Sequence, residues 1–134
     1  MGDGFSIVEF VYLSPKDQLC FVEAKSSSPR QEKDPDRFEE WVSEITTKFN
    51  DSFQLFLTVF LKRREEPKLG ADIESADMQI MPIKFVLVIP NHKLDWLAPI
   101  QNELKKQLNK TTTMWNISVA VMNEELAKEY GMIA

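Results

Sequence analysis

One cysteine, one histidine and four glycines in 134 residues leave several kinds of chemistry without their parts. A lone Cys20 cannot form an internal disulfide; between Leu19 and Phe21 it reads as a small buried hydrophobe, suited to a reducing, cytoplasmic compartment. One histidine and one cysteine cannot supply a zinc-ligand spacing, and the sequence carries neither a Gly-rich phosphate loop nor a Ser/His/Asp constellation. The longest apolar run, Leu55 to Leu61, is interrupted by Thr58 and is too short to span a bilayer. No basic segment followed by an apolar one opens the chain, so a soluble protein with no membrane partner is expected. Long Lys/Arg blocks are also missing and the net charge is −5, so contact with nucleic acid has to come from a local patch.

What the chain does have is apolar mass. Hydrophobic residues make up 43% of it, with nine Phe and three Trp, enough to build the core of one globular domain over residues 1–134. Residues 5–13 (FSIVEFVYL) and 18–25 (QLCFVEAK) read as strands joined by a Ser-Pro-Lys-Asp turn. Asp34-Pro35 opens a helix whose apolar stripe runs Phe38, Trp41, Val42, Ile45, Phe49 and resumes at Phe53, Phe56, Leu57, Phe60. The polar Asn50-Asp51-Ser52 between the two halves reads as a break between helices rather than as a turn inside one. Residues 67–79 read as a loop, Ile83–Ile89 as a central strand, Leu94–Asn109 as a helix, Trp115–Met122 as a strand and Glu124–Tyr130 as a final helix capped by Asn123. The fold class is α/β (α+β), a mixed sheet of about four strands with helices on its faces, in the order ββα(α)βαβα. Its last strand–helix–strand unit is expected to be a parallel crossover.

The strand that ends in FVEAKSS carries a glutamate and a lysine two positions apart, and alternation puts Glu23 and Lys25 on one face. A five-residue hairpin loop, Ser14 to Gln18, sets Leu13 opposite Leu19 and Glu9 opposite Glu23. A four-residue loop instead sends Glu9 to the other face, so register decides. In the first register two carboxylates meet beside one ammonium, and a hard divalent cation, Mg²⁺ or Mn²⁺, would relieve their repulsion. The metal ligands would then be Glu9 and Glu23.

An acidic residue on one strand, a Glu-x-Lys on the next and a helix afterwards resemble the core of the PD-(D/E)XK nuclease superfamily. The resemblance covers Ile7 to Phe49 and departs from the family in having Glu9 where Asp is usual. It implies a restriction-endonuclease-like core and metal-dependent phosphodiester hydrolysis of nucleic acid. By that likeness Glu9 and Glu23 bind Mg²⁺ and Lys25 orients or activates the attacking water, making Glu9, Glu23 and Lys25 the catalytic set. Ser26-Ser27-Ser28, small and polar, leave room for a phosphate backbone.

A second reading stays open beside it. Glu9, Glu23 and Lys25 form one exposed strip of a half-buried hairpin, in a degenerate member of that fold or a non-enzymatic interaction or regulatory module. Such a module is expected to be a homodimer meeting through the Phe-rich helical region. His92, in Pro90-Asn91-His92-Lys93 after a strand, reads as a loop or helix-start residue rather than a catalyst. Lys62-Arg63-Arg64 reads as a basic helix end, and Asp34, Asp36, Glu39 and Glu40 as helix-start and surface charges.

Overall fold

The computed structural model describes residues 8–14, 16–65 and 69–131. Strands β1 (Phe10–Leu13) and β2 (Leu19–Ala24) form the hairpin, antiparallel, with Leu13 opposite Leu19 and Phe10 opposite Val22. The five-residue loop is therefore the one present. It is closed by Ser14, whose backbone N–H donates to the Gln18 carbonyl at 2.8 Å and whose hydroxyl accepts from the Gln18 N–H at 3.2 Å. β1 starts later than expected, and residues 5–7 of the anticipated strand lie outside the described residues. Val8 has left the ladder, because its buried N–H donates to Ser52 Oγ at 2.8 Å.

Helix α1 (Pro35–Phe60) opens as its sequence dictates, with Asp34 accepting from the Arg37 N–H and Pro35 in the first turn. It is one helix, where a break at Asn50-Asp51-Ser52 was expected. The polar residues serve neighbouring elements instead of ending the helix. Thr111 Oγ1 donates to Asn50 Oδ1 at 2.7 Å, and Ser52 holds Val8. The apolar stripe runs through them, since Phe49, Phe53 and Phe56 are all buried at helical spacing.

Among the described residues of the 67–79 stretch there is one short helix, α2 (Ala71–Glu74). Strand β3 (Ile83–Val88) pairs in parallel with β2, setting Phe21 beside Phe85 and Glu23 beside Leu87. A 3₁₀ turn at Leu94–Trp96 leads into α3 (Leu97–Trp115), which outruns its expected end at Asn109. It stops where Asn116 takes a left-handed conformation, φ 55°, which asparagine tolerates better than most residues. Strand β4 (Ile117–Met122) pairs in parallel with β3, and the sheet order is β1-β2-β3-β4. Asn123 caps α4 (Glu124–Glu129) by accepting from the Leu126 N–H at 2.9 Å.

The architecture is thus a mixed four-stranded sheet between two helical layers. On one face Leu19, Phe21, Phe85 and Leu87 pack with α1 and α3; on the other Cys20, Val22, Val86 and Met122 pack with Ala127 of α4. Phe21 is wholly buried and meets Phe53, Phe56 and Phe85 edge to face at 5.5–5.8 Å. Burying one such ring contributes about 1.5–3 kcal/mol, with the edge contacts adding to it. Among the described residues no helix is long and apolar enough to cross a membrane.

Candidate functional site

Glu23 stands near the end of β2 on the face shared with Leu19 and Phe21, so the alternation that builds the core also drives its carboxylate beneath α1. It is 0% exposed. A buried carboxylate is costly unless cations and hydrogen bonds replace its water. Three groups do so. Lys48 Nζ donates to Glu23 Oε2 at 2.7 Å, Lys25 Nζ lies 3.7 Å from the same oxygen, and the Glu9 backbone N–H donates to Oε1 at 3.2 Å.

Of the two registers left open by the sequence, the five-residue loop is the one found, and Glu9, Glu23 and Lys25 come together at one corner of the sheet. The meeting of Glu9 and Glu23 is made by the backbone of Glu9, whose residue is otherwise exposed. Its charge still reaches the cluster. The hydrogen bond to Glu23 holds the Lys48 ammonium above its ordinary range against desolvation, and the charges of Glu23 and Glu9 push the same way.

Lys48 is the member that the sequence reading missed. It comes from mid-α1, 25 positions from Glu23, and no local motif links the two. A signal was present: Trp41, Ile45, Lys48 and Ser52 follow one edge of the helix at steps of four, three and four. A lysine interrupting such an edge points its ammonium toward whatever the helix covers.

Among the described residues no three His, Cys, Asp or Glu side chains gather into a cage that could hold a metal ion. Mg²⁺ is commonly held by one or two carboxylates completed by water and substrate phosphate, and the carboxylate enclosed in this corner is that of Glu23. A carboxylate has about four lone-pair positions, and the hydrogen bonds from Lys48 and Glu9 occupy two on Glu23. About two lone-pair positions on Glu23 thus remain, and the contact with Glu9 is made through its backbone N–H.

His92 is more than a loop residue. It is buried, its Nε2 shares a 2.6 Å hydrogen bond with Ser28 Oγ, and its backbone carbonyl accepts from Asn123 Nδ2 at 3.1 Å. His92, by its side chain and its backbone carbonyl, thus ties together the segments following β2, β3 and β4. Burial, then the charge of Arg30, pulls its imidazole below the usual histidine value. Lys62-Arg63-Arg64 lies beyond the end of α1, with the backbone N–H groups of Arg63 and Arg64 returning to the Thr58 carbonyl. It is about 21 Å along the helix axis from Lys48 and does not join the corner. Asp34 is a helix cap, and Asp36, Glu39 and Glu40 are exposed. Comparison with protein-family models, curated proteins and solved structures finds no match.

Proposed function

We propose that the corner formed by Glu9, Glu23, Lys25 and Lys48 is a phosphodiester-hydrolysing site that acts on nucleic acid with Mg²⁺ or Mn²⁺. The observation that carries this reading is the wholly buried Glu23 carboxylate, held between two lysine ammonium groups with Glu9 beside it. A hairpin has no structural need to bury a charge at its end, and a covered, partnered ionisable group points to function. The resemblance to the PD-(D/E)XK core agrees with the hairpin, helix and parallel strand in this order.

In this reading Glu23 and Glu9 would hold the cation, which would supply charge stabilisation at the phosphoryl oxygen and a more acidic water. Lys25, about one-third exposed at the mouth of the corner, would orient the attacking water and meet the anionic phosphate. Lys48 balances the charge on Glu23 from the helix side and fixes the direction of its carboxylate. Ser26 and Ser27, both exposed, leave the approach to Lys25 unobstructed. The test is cleavage of single- and double-stranded DNA and RNA in Mn²⁺ and in Mg²⁺. Wild type is expected to cleave at least one of them, and Lys25→Ala to bind metal while losing cleavage. Cleavage that survives in Lys25→Ala would contradict the assignment of the lysine.

A second reading, a non-enzymatic module acting as a homodimer, is favoured by one observation. Met114 and Trp115 at the end of α3 are 68% and 47% exposed and border a groove with Leu57 of α1. Such a surface suits a second copy of the chain. Sedimentation at high micromolar concentration is expected to show a dimer in this reading, and a monomer there removes it.

A further inference from the structure

Beyond Lys25 the chain runs through Ser26-Ser27-Ser28 to Arg30, and a cavity of about 370 Å³ lies between this segment and the start of α3. That volume falls in the range of small-molecule pockets, roughly 300–1,000 Å³. Its apolar walls include the buried Phe38 and Ile100, together with the ring of Trp96. The Arg30 guanidinium carbon sits 4.2 Å from the centre of the Trp96 ring, and His92 meets the same ring edge to face at 5.1 Å. The 2.6 Å bond between Ser28 and His92 pins the two sides together.

Charge decides what such a cavity can take. Arg30 brings donors but is paired with Glu32 at 2.5 Å, Asp95 also lines the space, and the Lys93 ammonium lies 5.1 Å from the centre of the Trp96 ring. Two carboxylates set against two cations leave no surplus positive charge for a phosphate. A flat, neutral group that carries both donors and acceptors suits the mixture, stacking on the Trp96–Arg30 platform and bonding to Arg30, Glu32 or Asp95 at its edge. Nucleobases have this chemistry. Arg30 is five residues past Lys25, so the two lie no more than about 18 Å apart along the chain, within reach of one bound strand.

We infer that this cavity is a nucleobase pocket, which takes a base turned out of a single strand whose phosphates run past Lys25. The inference rests on the reading of the corner as a phosphodiester site and adds the substrate: an unpaired strand rather than an intact duplex. A base stacked within a duplex is not free to enter, whereas a single strand can splay one out at little cost.

The test needs neither metal nor cleavage. Indole N–H resonances of Trp41, Trp96 and Trp115 are followed in metal-free buffer as adenosine, cytidine or inorganic phosphate is added. Nucleosides are expected to shift Trp96 saturably in the millimolar range, leaving Trp41 and Trp115 in place, and phosphate to leave all three. A single-stranded oligonucleotide is expected to lose about tenfold in affinity in Trp96→Leu and to regain most of it in Trp96→Phe, since loss of one stacking ring has an effect of this order. The pocket is overturned by no nucleoside shift at Trp96 up to solubility, by phosphate reproducing the shift, or by nucleosides binding while the oligonucleotide ignores Trp96→Leu. Cleavage by a protein whose Trp96 does not respond removes the pocket alone. A Trp96 response with strand binding, in a protein that neither binds Mn²⁺ nor cleaves, keeps the pocket and removes the hydrolytic site.

Discussion

Without the Lys48 ammonium, the buried Glu23 carboxylate would keep, among the described residues, Lys25 at 3.7 Å as its cation. Lys48→Met keeps the stem of the side chain and deletes the charge. It is expected to cost about 1.5–3 kcal/mol by chemical denaturation, the scale of one hydrogen bond to a charged group. The low end is the better guide, because Lys48 is itself 29% exposed and its charge is partly screened. A loss below about 0.5 kcal/mol would show that the pair does not neutralise Glu23. His92 gives a pH prediction with a definite sign. Its folded value lies below the usual one of about 6.5, so the unfolded chain binds the proton more readily and stability falls as pH drops through that value. Melting temperature is expected to decline from pH 7.5 to 5.5, and His92→Gln to flatten the decline. An equally steep decline in the variant would place its cause elsewhere.

At the scale of elements, the unbroken course of α1 is the feature that places Lys48 over Glu23. Asp51→Pro tests it, because proline inside a helix removes a backbone hydrogen bond and clashes with the preceding turn, at a cost of about 3 kcal/mol or more. If the chain broke at this point instead, the substitution would be tolerated, and unfolding at nearly the wild-type denaturant midpoint would say so. The hairpin, the capped start of α1, the β3–α3–β4 unit and the mixed sheet were all legible in the sequence, because turn residues, caps and apolar periods are local signals. The register was not: the sequence allowed a four- or a five-residue loop, and the pairing of Leu13 with Leu19 selects the five-residue one, Ser14 to Gln18. The continuity of α1 was not, since Asn50 and Ser52 find their partners in Thr111 and Val8, at 61 and 44 positions' remove. The same limit hid Lys48 from Glu23 and Ser28 from His92, which meet across 25 and 64 positions. In each case a polar residue on or beside an apolar element is explained only by a partner that the fold supplies.

For the whole molecule, a sheet enclosed between α1 and α3 on one face and α4 on the other leaves the ends of the parallel strands as the place where loops of different origin meet. The segments after β2, β3 and β4 converge there through Ser28, His92 and Asn123, with Glu23 and Lys25 alongside at the end of β2. The overall charge of −5 opposes a polyanion, so in the proposed reading strand binding would rest on Lys25, Lys48, Arg30 and a metal ion. Such binding is expected to weaken steeply as salt rises. The central claim is that Glu23 is a metal ligand held ready by lysines, and calorimetric titration of Mn²⁺ into wild type and Glu23→Gln tests it most directly. The account predicts one Mn²⁺ bound by wild type with millimolar or tighter affinity, and none by Glu23→Gln that remains folded by circular dichroism. Absence of Mn²⁺ binding to wild type, or equal binding by both proteins, would contradict it.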